Sequence, residues 1–147
     1  MTPFATAVAA EIHASFPEWQ AYSREEEADD GSTYLLVSVP APADANTVHG
    51  LTISTDNEEV TVSFDFYHSH FDQWSVRRVG YEHEAALPFV QALFREGVGA
   101  ASWWNGKQWV GSCQVQAGEP AQMPVAKEYT HVRVRSWRGK LNADRDA

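Results

Sequence analysis

The chain has one cysteine, Cys113, two methionines and, through its first 72 residues, a single basic side chain, Arg24. One cysteine cannot make an intrachain disulfide, and a disulfide-free chain is expected in a reducing compartment, the cytoplasm. Long apolar runs are missing too. No stretch approaches the length of about 18 residues that a membrane-crossing helix needs. The N-terminal segment MTPFATAVAAEIHASF has small apolar residues but no Lys or Arg before them, so it reads as a folded helix rather than a secretory signal. GxSxG, GxGxxG and the P-loop pattern are lacking, which removes the common nucleophile elbow and phosphate cradles. Internal repeats and a domain linker are lacking as well. A single domain over residues 1–147 is expected, frayed at residues 1–2 and 140–147.

What is present is acid and aromatic. Residues 1–72 carry 13 acidic side chains against Arg24, a net −12, whereas residues 73–147 are +3, giving −9 in all. A half of that charge repels phosphate backbones, which speaks against nucleic acid. It attracts a basic protein and speeds the encounter. Six Trp, seven Phe and five Tyr are a heavy aromatic load for 147 residues, and 44% hydrophobic content is enough for a core.

The periodicity predicts an α+β fold. Phe4, Val8, Ile12 and Phe16 recur every four residues, the stripe of an amphipathic helix with Pro3 in its first turn and Pro17 closing it. Glu25 to Gly31 reads as a charged loop or hairpin tip. Alternation then marks strands at residues 34–39, 51–54 and 60–67. Ala86, Phe89, Val90, Leu93 and Phe94 have the spacing of a second helix over residues 83–96, with Gly97 as its C-cap. Trp103-Trp104-Asn105-Gly106-Lys107-Gln108-Trp109 is a hairpin with an Asn-Gly turn. Its register pairs Trp104 with Lys107. That puts Trp104, Trp109, Cys113 and Val115 on the core face, and Trp103 on the polar one. A last strand over residues 128–138 turns Val132 and Val134 inward. Tyr129, His131, Arg133, Arg135 and Trp137 would then form an outward, charge-protected stripe. The expected architecture is one antiparallel sheet with the N-terminal helix and the second helix packed on one face.

The stretch Tyr67-His68-Ser69-His70-Phe71-Asp72-Gln73-Trp74 concentrates titratable and aromatic side chains. Its HSHFD resembles the start of the HxHxDH zinc motif of metallo-β-lactamase-fold hydrolases, but Gln73 stands where the next His should be. No Gly-rich loop supplies a further ligand. A small metal-dependent enzyme using His68, His70 and Asp72 is therefore the first alternative reading, and a generic interaction module the second. The favoured reading assigns no catalytic residue, metal or cofactor. On parity, His68 and His70 continue the Phe64 and Phe66 face past the core. Cys113, on the predicted core face, reads as an inert thiol.

The segment HGLTISTDNEEVTVSFDFYHSHFDQW, followed by a short helix and a Trp-rich hairpin, resembles immunity proteins of bacterial contact-dependent growth inhibition and polymorphic-toxin systems. The likeness covers roughly residues 49–115. It implies a non-enzymatic cytoplasmic protein that binds the C-terminal domain of a cognate toxin, often a nuclease, and neutralises it. No functional residue carries over by position. The residues themselves suggest which would meet a basic toxin: the carboxylates Glu26, Asp29, Asp30, Glu58, Glu59, Asp65 and Asp72, with Tyr67, His68, His70, Trp74 and Trp103 as packed contacts.

Overall fold

A computed structural model describes residues 1–123 and 127–147. The α+β class and antiparallel pairing are as expected, but the strands divide between two sheets. The chain forms two compact units, Met1–Pro40 with Gly50–Ser63 and His68–Val90, and Ala41–His49 with Phe64–Tyr67 and Gln91–Ala147.

The first unit opens with α1 (Pro3–Ser15). Thr2 caps it, its hydroxyl accepting the Ala5 amide at 3.1 Å, and Pro3 occupies the first turn, where no amide is needed. Thr2 also donates its own amide to the Thr33 carbonyl, so this end is tied down. The buried face is Ala5, Val8, Ala9 and Ile12. The five-stranded sheet then runs in chain order: β1 (Ser23–Glu27), β2 (Thr33–Val39), β3 (Leu51–Ser54), β4 (Val60–Phe64) and β5 (Tyr67–Phe71). β1 is a correction to the predicted loop. Glu25 to Glu27 pair with Leu35 to Thr33 along the sheet edge, where charged side chains stay in solvent while backbone groups are bonded. The turn that follows has Gly31 at φ +84°.

The predicted strand 60–67 is also corrected. It reverses at Asp65-Phe66, and Asp65 takes φ +52°, a conformation that Asp tolerates better than most residues. β4 and β5 are thus neighbours rather than one strand. Trp74 lies under the unit, fully buried, its ring edge-on to Trp19 and Phe16 at 6.5 and 6.3 Å. Its indole N–H donates to Ser15 Oγ at 3.0 Å.

α2 (Ala86–Phe94) carries the chain into the second unit, with Pro88 in its first turn. A Schellman motif ends it: the Gly97 amide reaches the Ala92 carbonyl (2.9 Å) and the Glu96 amide the Leu93 carbonyl (3.2 Å). The left-handed residue is Glu96 (φ +63°), one position before the expected Gly97.

The four-stranded sheet has the order β7 (Gln108–Gln116), β6 (Val98–Asn105), β8 (His131–Arg135) and β9 (Ala143–Asp146). β9 occupies part of the tail expected to fray, pairing Val134 with Ala143 and His131 with Asp146. The hairpin register differs from the predicted one. Asn105 pairs with Gln108 and Trp104 with Trp109, and a bulge then sets Trp103 against Gly111. The extra residue exchanges the faces of the tryptophans, while Cys113 and Val115 stay on the core side as expected. Trp103 is buried with Ala101, Val115 and Val134, while Trp109 is 45% exposed. β8 lies inside the sheet, so the predicted charged stripe fails at its second half: Arg135 and Trp137 are buried.

Candidate partner-binding surface

The exposed stretch of the first unit with the most recognition chemistry is the outer face of β5. Exposure alternates along the strand, with His68 and His70 in solvent and Tyr67, Ser69 and Phe71 half-buried. The turn at Asp65-Phe66 breaks the expected phase. Phe64 faces the core, but His68 and His70 do not continue its side. Their rings stand edge to face, 5.1 Å apart. His70 Nδ1 lies 3.0 Å from Glu59 Oε1 and 2.9 Å from Thr61 Oγ1.

The expected carboxylates are largely on the surface of the same unit. Asp29, Asp30, Glu58 and Asp72 are exposed, and Glu26 and Glu59 are half-exposed. Glu26 accepts from Arg24 Nε at 2.5 Å across the β1 edge. The Ser32 hydroxyl and amide both donate to Asp30, and those bonds hold its carboxyl below the ordinary value. Asp29, Asp30, Asp56 and Glu58 line an open cavity of about 430 Å³ beside Thr2 and Tyr34. Asp72 lies just past β5, its amide donating to the Glu84 carbonyl.

Three expected contact residues are withdrawn. Trp74 and Trp103 are core side chains, at 0% and 2% exposure. Asp65 is buried. Its Oδ1 accepts the Val48 and His49 amides at 2.8 and 3.5 Å, and its Oδ2 faces Arg133 Nε at 3.3 Å. Tyr67 is half-buried and belongs by contacts to the second unit.

The second unit holds two features that the sequence reading missed. One is a charge network: Asn46 O accepts from both Arg133 (2.8 Å) and Arg135 (3.0 Å), and Arg135 Nη2 meets both Asp144 oxygens at 3.0 and 3.1 Å. The other is a ring cluster. Phe66 packs against His49, Trp104 and Trp109 at 5.0, 4.8 and 5.7 Å, and Trp104 stacks on His131. Trp109, expected in the core, belongs to this cluster instead.

Cys113 packs against the sheet core, and burial pushes its thiol up. Among the described residues no three His, Cys, Asp or Glu side chains converge as a metal-ligand set. No helix among them is long and apolar enough to cross a membrane. Comparison with family models, with curated proteins and with solved structures finds no match to this chain.

Proposed function

We propose that this protein is an immunity protein: a non-enzymatic, cytoplasmic binder that captures and neutralises a basic toxin domain. The observation that carries the reading is where the charge sits. The first unit has 13 acidic side chains against Arg24, Arg77 and Arg78, a net −10, and the second has seven acids and eight bases, a net +1. Nearly all of the excess therefore belongs to the unit that presents Asp29, Asp30, Glu58, Glu59 and Asp72 beside His68 and His70. A surface of this kind competes with a nucleic-acid backbone for a toxin's Lys and Arg, by Coulomb attraction at encounter and charge-assisted hydrogen bonds on contact. The likeness of residues 49–115 to immunity proteins points the same way.

The experiment is neutralisation. The natural partner would be the C-terminal domain of a large secreted toxin encoded directly upstream. Co-expression with this chain should restore growth to cells making that domain, and the purified pair should co-elute. A variant carrying Asp29→Lys, Glu58→Lys and Asp72→Lys should lose protection while remaining folded. Full protection by that variant would remove the electrostatic account, and no protection by the parent chain would remove the assignment.

A further inference from the structure

We infer that His68 and His70 form a surface chelate for a divalent transition-metal ion, with Glu59 as the carboxylate that orients one ligand. Residues two apart on a strand project from the same face, their Cα atoms about 7 Å apart, so two imidazoles can lean toward one point above it. Here both rings are in solvent and their centroids are 5.1 Å apart.

The stronger observation is behind His70. Its Nδ1 is 3.0 Å from a Glu59 carboxylate oxygen. With Thr61 Oγ1 in hydrogen-bond contact and the Glu59 carboxylate beside it, Nδ1 is the nitrogen we assign the hydrogen, which leaves the lone pair on Nε2. Metal-bound histidines show this arrangement: the ring nitrogen away from the ion donates to a carboxylate, which fixes the tautomer and makes the ligating nitrogen a better donor. Thr61 Oγ1, 2.9 Å from the same Nδ1, steadies the ring further. The carboxylate stands behind the ligand rather than in the coordination sphere, so the protein supplies two donors. Water or a partner's side chain fills the remaining positions. Imidazole pairs select the borderline ions, with affinity rising from Mn²⁺ through Ni²⁺ to Cu²⁺ and falling back at Zn²⁺, and they have no use for Mg²⁺ or Ca²⁺.

The test is calorimetric titration of the untagged full chain with Cu²⁺, Ni²⁺, Zn²⁺ and Mg²⁺. One equivalent of Cu²⁺ should bind most tightly and Mg²⁺ not at all. His68→Ala and His70→Ala should each weaken Cu²⁺ by about tenfold or more, because two tethered donors act at high effective concentration. Glu59→Ala should weaken it about tenfold. Glu58→Ala, the same charge change on a neighbour with no bond to the ring, should cost much less. Nitrogen-15 spectra of the histidine rings should show His70 with Nδ1 protonated in the parent and not in Glu59→Ala. Binding that survives loss of both histidines would overturn the site. Equal losses from Glu58→Ala and Glu59→Ala, or the opposite tautomer in the parent, would overturn the positioning role.

Discussion

Ser15 shows how one hydroxyl on an exposed helix end governs a buried ring. Trp74 is fully enclosed, and its indole N–H has Ser15 Oγ at 3.0 Å. The same oxygen donates its own hydrogen to the Glu11 carbonyl, which leaves its lone pairs for the indole. Removing the hydroxyl strands a buried donor, and such a group costs about 1–3 kcal/mol. Ser15→Ala should therefore lose stability on that scale by urea denaturation, although it removes one heavy atom from an exposed position and puts the better helix former there. Trp74→Phe removes the donor itself, so adding Ser15→Ala to it should cost almost nothing more. Additive losses in that cycle would show that the bond contributes little. Arg135 is the corresponding residue of the second unit: its buried guanidinium is held by the carbonyls of Asn46, Val134 and Ala143 and by Asp144. Asp65 accepts a left-handed backbone to hold two loop amides and Arg133.

Elements differ in how much their own residues specify them. α1 was legible because its stripe, Pro3 and Pro17 agree, and β2, β3 and β4 because they alternate cleanly between buried and half-buried residues. β1 was not, since Ser-Arg-Glu-Glu-Glu has no strand propensity and exists through pairing with β2. The β4–β5 reversal hides in a pattern that reads on through Asp65-Phe66, and the hairpin bulge leaves no mark that parity can find. For the candidate surface this meant that residue type alone placed six of the seven acids and the two histidines outside the core. Trp74, Trp103 and Asp65 were misplaced because burial is set by tertiary register. β9 is the clearest test at this scale. Three of its four residues are charged, yet it pairs with β8 from His131 to Val134 and brings Asp144 to Arg135. A chain ending at Asn142 would leave a buried cation short of its carboxylate, a loss of about 3–5 kcal/mol when such a pair is fully enclosed and less here, where Asp144 is open to water. Thermal unfolding of the truncated chain should show a clearly lower midpoint. An unchanged midpoint would mean that β9 is a frayed appendage after all.

On the scale of the whole molecule the decisive property is the uneven charge, −10 against +1 between the two units. Long-range attraction acts before contact, so it raises the association rate and leaves dissociation to the short-range contacts. The Debye length falls from about 30 Å at 0.01 M salt to about 3 Å at 1 M, which removes steering without touching packed groups. With the basic toxin domain as partner, the association rate should fall steeply across that range while the dissociation rate changes little. Position should matter as much as total charge. Reversing Asp29, Glu58 and Asp72 to Lys alters the net charge as much as reversing Asp44, Glu119 and Glu128, and all six side chains are exposed. The first set lies in the acidic unit and the second in the nearly neutral one. Stopped-flow association should be slowed about tenfold or more by the first set at low salt, and far less by the second. Equal slowing by the two sets would mean that the partner responds only to net charge, and the acidic unit would lose its claim as the docking face.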